Sequence, residues 1–356
     1  MSRTDQLAAP GPLVDDQAVT FRVADSGHEL RGVRLYQEVG VPGDRLDLQW
    51  HTGVWSLHLA RPAVDRMEYL FQVTGADGGE DWVRDPGNPR RVGGAFGDKS
   101  VLEFPGYRPP RWLVGPPPRR GRVRELAVPA RSLGSQVRAR VWSPPDVLDT
   151  EQLPLLVVHD GPEYDVLASL TTYLGVLVER RVVAPLRAAL LDPGERNEWY
   201  SANGAYARAL ALAVLPRLRE AAPTTTTIGM GTSLGALAML HAHRHHDGLV
   251  DALFLQSGSF FHPRHDAHER RFARYDRVVR AVDEILRAGG HRSPVPAVLT
   301  CGAIEENLAN NRIMARALAA QGYDVTLREV PDVHNYTGWR DAFDPHLTGL
   351  LRLVAR

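Results

Sequence analysis

Hydrophobic residues in this chain follow two different periods, and the change falls at the run PGYRPPRWLVGPPPRRG, Pro105 to Gly121. Before it, the segments VTFRV, HELRGVRLYQEV, GVWSLHLARP and MEYLFQVTGADG alternate apolar with polar residues and are separated by Gly, Pro and Asp turns. A two-residue period turns one face of each strand inward, so short strands of this kind predict an antiparallel sandwich of immunoglobulin-like type. After the run, LPLLVVHDG is apolar without alternation, as suits a strand buried on both faces of a parallel sheet. Helix-like segments then alternate with further apolar strands: Tyr206 to Arg219 before TTTTIGMG, Leu234 to Arg244 before DALFLQSG, and Asp276 to Arg287 before VPAVLTCG. Strand and helix in turn predict an α/β fold with a mostly parallel sheet.

The proline-rich run itself predicts a semi-rigid spacer, because fixed φ angles and missing amide donors suit neither a helix nor a central strand. The expected organisation is a tail over residues 1–17, a β-sandwich over 18–106, a linker over 107–122 and an α/β domain over 123–356. A chain of 356 residues, 44% hydrophobic, is long enough for two such cores. Acidic and basic residues balance at 42 each, which gives no charge-driven reason to expect nucleic acid or an anionic membrane as partner. The lone Cys301 has no partner for an intramolecular disulfide, as fits a reducing compartment. The N-terminus lacks the basic-then-apolar layout of a signal peptide and no apolar run reaches membrane-spanning length, so a cytoplasmic protein is expected. Oligomeric state leaves no mark in the sequence.

Gly231-Thr232-Ser233-Leu234-Gly235 fits the pattern G-x-S-x-G. A β-rich TTTTIGM run precedes it and the helix-forming ALAMLHAHR follows, the strand-turn-helix setting of a nucleophile elbow. The plainer reading of Ser233 is a helix cap in a glycine-rich loop. A serine hydroxyl needs a base, and in the α/β-hydrolase order of serine, acid, histidine both partners follow the nucleophile. His334, in the loop after the strand-like VTLREV, is the candidate base. The candidate acids are Glu305 and Glu306, which follow PAVLTCG directly, with Asp332 as a weaker alternative on the histidine's own loop. An oxyanion would be met by the Leu234 amide at a helix N-terminus. A second donor would come from the turn His159-Asp-Gly-Pro-Glu163.

Taken together these motifs resemble the enterochelin esterases, enzymes of the esterase-D-like branch of α/β-hydrolases that open the trilactone of ferric catecholate siderophores. The resemblance covers most of the chain: DPGNPRRVGGAFGDKSVLEFP, Asp85 to Pro105, is similar to the segment joining the family's sandwich domain to its hydrolase, and the HDG turn, the GTSLG elbow, the QSGSFF run, the GAIEE loop and the late histidine recur in order. It implies Ser233 as nucleophile, His334 as base and Glu305 as acid. Related enzymes often draw an oxyanion donor from the residue after the Asp-Gly turn. Here that residue is Pro162, which has no N–H, so the donor falls to Gly161, Glu163 or another group.

Three other features are weighed. The run His241-Ala-His-Arg-His-His246 offers imidazoles but no completing cysteine or carboxylate set, and reads as a solvated helix end rather than a zinc site. GGAFGDKS, Gly93 to Ser100, departs from a P-loop by an aspartate before the lysine and lies in the sandwich region. Arg196, Trp199 and Trp339 are candidates for a pocket wall, through a guanidinium for an anionic or phenolic substrate and indoles to stack on it. A salt bridge and core aromatics are the structural alternative. The expected function is therefore a serine carboxylic-ester hydrolase acting on a small-molecule ester, with a ferric siderophore among the candidates. It needs no cofactor or metal of its own, iron arriving with the substrate. A general aryl-ester esterase and an inactive ligand-binding protein are the alternatives.

Overall fold

The computed structural model describes residues 11–95 and 97–354. Two compact units emerge from the chain's contacts. The first runs to Arg108 and also takes in Gly302–Glu305 and Pro331–Gly338, and the second holds Pro109–Cys301, Glu306–Val330 and the chain from Trp339 onward.

The first unit is built on two antiparallel sheets. One orders the strands Leu13–Val14, Ala18–Ala24, Val54–Ala60 and Gln49–His51. The other orders Leu30–Gln37, Arg66–Gly75, Lys99–Glu103 and Arg91–Val92, with Glu80–Val83 paired to Arg66–Gly75. Alternation decides what is inside: Val19, Phe21 and Val23 point inward and are fully buried. They share one core with Tyr69, Phe71 and Val73, and Phe21 meets Tyr69 edge-on at 4.9 Å between ring centroids. The predicted sandwich is present, with five more short strands than the alternation revealed.

One expectation at its border is corrected. Within the stretch read as a tail, residues 1–10 lie outside the described residues, but Leu13–Val14 pairs with Val19 and Thr20 as an edge strand. The GGAFGDKS stretch, whose Phe96 lies outside the described residues, leads into the strand Lys99–Glu103. There Lys99 Nζ lies 2.8 Å from Glu38 Oε1 and 3.7 Å from Glu68 Oε2, so its charge serves an ion-pair network inside the sandwich.

The second unit carries an eight-stranded sheet in the order Arg122–Ala130, Ser135–Ser143, Arg187–Leu191, Leu153–Val158, Thr224–Thr232, Ala252–Gln256, Ala297–Gly302 and Val325–Val330. The first two pairings are antiparallel, and every pairing from Arg187–Leu191 across to Ala297–Gly302 is parallel. All six residues of Leu153–Val158 are buried, as an unbroken apolar run requires in a sheet covered on both faces. The helix foreseen over Tyr206 to Arg219 is one rod in three parts, Gly204–Ala209, a π-helical turn Leu210–Val214, and Leu215–Ala221. Asn203 caps it by accepting the amides of Ala205 and Tyr206.

The proline-rich run is not a free spacer. Trp112 is buried, with ring centroids 5.1 Å from Tyr173 and 6.4 Å from Phe343. A large aromatic in the middle of the run anchors it to the second unit, which prolines alone would not do. The histidine run is a solvated helix end only in its last two members, His245 being exposed and His246 half-buried. His241 and His243 are buried because the helix Leu234–His245 is covered all round as far as His243, and burial pushes both imidazoles down to about 4, which keeps them neutral.

Candidate active site

The strand Thr224–Thr232 ends at Ser233, which takes φ 55° and ψ −125°, and the helix Leu234–His245 begins at the next residue. A positive φ on a non-glycine residue is strained and persists only where its surroundings hold it. Here the Ser233 amide donates to the Gln256 carbonyl at 3.0 Å and the Ser259 amide donates to the Ser233 carbonyl at 3.1 Å. Small residues make the turn possible: a Cβ on Gly231 would lie 2.4 Å from the Gly235 carbonyl oxygen, and one on Gly229 2.6 Å from Met239 Sδ. Both spacings are shorter than a Cβ contact allows, so Gly231 of the motif and Gly229 just before it are there for close packing. The hydroxyls of Ser233 and Ser259 lie 3.0 Å apart. Ser259 escaped the sequence reading although it sits inside the noted QSGSFF run.

The turn after Leu153–Val158 faces this elbow within the same unit. His159 is fully buried, with Nδ1 3.0 Å from the Gly235 carbonyl and Nε2 2.7 Å from the Tyr206 hydroxyl. Burial pushes its imidazole down to about 3, so the ring is neutral and carries one proton. A carbonyl only accepts, which places that proton on Nδ1 and leaves Nε2 to accept from Tyr206. His159 thus ties the turn to the first turn of the helix behind Ser233. Gly161 follows as the first residue of the helix Gly161–Ala168, and a Cβ there would lie 2.3 Å from Leu190 Cα. Gly161 and Leu234 each open a helix, where the first amides have no intrahelical acceptor and the dipole favours negative charge.

The acid loop and the histidine loop both belong to the first unit. Glu305 Oε2 lies 3.0 Å from His334 Nδ1, and its Oε1 accepts the Gly302 amide at 2.8 Å. The Glu305 side chain is 1% exposed, whereas Glu306 is 57% exposed and pairs with His268 at 3.0 Å. Of the two adjacent glutamates, the inward one faces the imidazole. Asp332, the weaker candidate, is held elsewhere: its Oδ2 accepts from Arg66 Nη2 at 2.9 Å and its Oδ1 from the Val333 amide and Asn335 Nδ2.

The Esterase family model matches residues 130–350, more than half of the chain. The chain belongs to the Esterase family. It is a carboxylic ester hydrolase. No curated protein matches the sequence, but solved structures share its fold. An enterobactin esterase from Shigella flexneri, solved in the presence of 2,3-di-hydroxy-N-benzoyl-glycine, matches with a TM-score of 0.76 at 22% identity over 98% of each chain. The ferric enterobactin esterase of Salmonella typhimurium matches at 0.75 and 21% identity over 97% of this chain and 96% of its own. A ferulic acid esterase matches at 0.54 and 14% identity, covering 67% of this chain and 99% of its own. Among the described residues, no helix of the esterase is long and apolar enough to cross a membrane.

The esterase places its three predicted pocket residues differently from one another. Arg196 is engaged by Asp160, Nε and Nη2 each 2.8 Å from a carboxylate oxygen, in a two-pronged ion pair. Trp339 is buried, its indole N–H donating to Ser257 Oγ at 2.9 Å. Trp199 stacks on Tyr206 at 5.7 Å and also lines a cleft of about 590 Å³ with Ser135, Gln136, Pro162, Glu163 and Gly194. The Asp160 carboxylate is 1% exposed and the Arg196 side chain 34%. Arg196→Met is therefore expected to lower stability by about 2 kcal/mol, less than for a wholly buried pair because solvent screens the arginine. Thermal denaturation reads this directly. An unchanged melting temperature with a raised KM would assign Arg196 to the substrate instead.

Proposed function

We propose that this esterase works through an acyl-enzyme formed on Ser233, with His334 as general base and Glu305 as its orienting acid. The observation that carries the reading is the Glu305–His334 pair at 3.0 Å, with Glu305 buried and fixed by the Gly302 amide. A carboxylate at Nδ1 keeps the proton on that nitrogen and makes Nε2 the atom that accepts the proton of the serine hydroxyl. The strained turn at Ser233 supports the nucleophile's role, since such turns present a hydroxyl away from the backbone. Ser233 Oγ attacks the ester carbonyl as His334 takes its proton. The tetrahedral oxyanion is met by the Leu234 and Gly161 amides, each at the start of a helix. Collapse expels the alcohol with the proton returned from His334, and a water activated by the same imidazole then releases the acid.

For the substrate we propose the trilactone of a ferric catecholate siderophore, opened to linear products that hold iron less tightly. The likeness to enterobactin esterases runs over both units, one of them solved in the presence of enterobactin at a TM-score of 0.75. The ferulic acid esterase covers only 67% of the chain. A substrate handled with the sandwich present is thus a better fit than a simple aryl ester. The test is mass spectrometry of a ferric catecholate trilactone incubated with the enzyme, next to a p-nitrophenyl ester. Each opened ester adds one water to the mass, and a ladder of such products is expected. Cleavage of the aryl ester alone would keep the hydrolase and discard the siderophore. Cleavage of neither, in a folded preparation, would favour the ligand-binding alternative.

A further inference from the structure

His334 is flanked by residues that answer to a strand far away in sequence. Arg66, the first residue of Arg66–Gly75 in the sandwich, is buried, and its Nη2 lies 2.9 Å from Asp332 Oδ2 and 3.2 Å from Asn335 Oδ1. Asp332 and Asn335 are also bound to each other, Asn335 Nδ2 donating to Asp332 Oδ1 at 2.9 Å. The same Asp332 oxygen accepts the Val333 amide, and Asn335 Oδ1 accepts the Gly338 amide at 2.7 Å. One guanidinium therefore closes a ring of hydrogen bonds around the backbone that carries His334.

Apolar packing and close approach reinforce this ring. Val333 is buried in the sandwich core, and the Asp65 amide donates to the Pro331 carbonyl at 2.9 Å. A Cβ on Gly302 would lie 2.2 Å from the Asp332 carbonyl oxygen and 2.8 Å from Glu305 Cγ, and one on Gly338 3.0 Å from Asp332 Cβ. The loop of Asp332 and the loop of Glu305 thus meet with no slack.

We propose that Arg66 is a positioning residue for the general base, a clamp in the sandwich that fixes the loop of His334 through Asp332 and Asn335. The inference rests on the reading of His334 as base. Burying this charge cluster is costly: desolvation raises the Asp332 carboxyl above its usual range and pushes Glu68, 3.7 Å from Arg66, up to about 7. Arg66 offsets part of that cost at both carboxyls. Ion pairs of this kind do little for stability compared with apolar packing, and their best-attested use is to fix one arrangement over others.

The test compares wild type, Arg66→Met, Arg66→Lys and Asp332→Asn for aryl-ester hydrolysis and for the rate of fluorophosphonate labelling at Ser233. Rates are normalised to the folded fraction. Misplacing a catalytic group by about 1 Å costs up to about 100-fold in rate. Arg66→Met is accordingly expected to lower kcat and the labelling rate by about 10-fold to 100-fold with KM within about two-fold. Arg66→Lys should recover part of the loss, since one ammonium donor reaches Asp332 without bridging to Asn335. Folded Arg66→Met that labels and turns over like wild type would overturn the clamp while leaving the triad standing. Should Arg66→Met not fold, Asp332→Asn decides in its place, and wild-type kcat there would overturn the clamp equally. Failure of wild type itself to label would remove the triad, and the inference with it.

Discussion

Ser233→Ala is expected to reduce turnover of an activated ester by about 10⁴-fold to 10⁶-fold, the scale on which loss of a serine nucleophile acts. It should do so with little change in melting temperature. Alanine has the same aversion to φ 55° as serine, so the strain of the turn is unaltered. Among the described residues, the hydrogen bond removed is that between the Ser233 and Ser259 hydroxyls, worth about 1 kcal/mol. Steady-state rates on a p-nitrophenyl ester, with a melting curve of the same preparation, check both halves. Turnover within about ten-fold of wild type would move the nucleophile elsewhere.

The second large effect separates two neighbouring glutamates. Glu305→Gln is expected to cost about 10³-fold to 10⁴-fold in kcat, and Glu306→Gln less than about two-fold. The reason lies in the Gly302 amide, which donates to Glu305 Oε1. In the glutamine variant that bond holds the amide oxygen at the Oε1 position and turns the NH₂ group toward His334 Nδ1. An imidazole facing a donor at Nδ1 moves its own proton to Nε2, where it has no capacity to accept from serine. Glu306 is exposed and pairs with His268 on the surface, where such pairs contribute little. Parallel kinetics of the two variants decide it, and a loss confined to Glu306→Gln would reverse the assignment.

How much of this was legible beforehand follows from what a single sequence encodes. Hydrophobic period is local, so the sandwich, the parallel sheet and the elbow around Ser233 were readable, whereas strands as short as Gln49–His51 hold too few residues to show a period. Glu305 and Glu306 are adjacent on a turn, and nothing in residue type says which one points inward. Arg196 and Trp339 looked like substrate contacts because a guanidinium and an indole suit either a pocket or a buried partner. Their partners, Asp160 and Ser257, are 36 and 82 residues distant. His241 and His243 misled in the other direction, since a histidine run suggests water, and nothing local shows that the helix is covered all round as far as His243. Arg66 carried no signal at all: its partner Asp332 lies 266 residues further along.

That separation also orders events during synthesis. Domains fold as units, the N-terminal one first as the chain is made. When the sandwich strands assemble, Arg66 therefore has Glu68 beside it but not yet Asp332, while Ser233, the parallel sheet and Glu305 are still to come. Its partner emerges only with Pro331–Gly338, among the last segments of the second period of strands and helices. The first unit is therefore complete only once residues 331–338 have been made, and a chain cut short of residue 331 holds Ser233 and Glu305 without the histidine proposed to serve them.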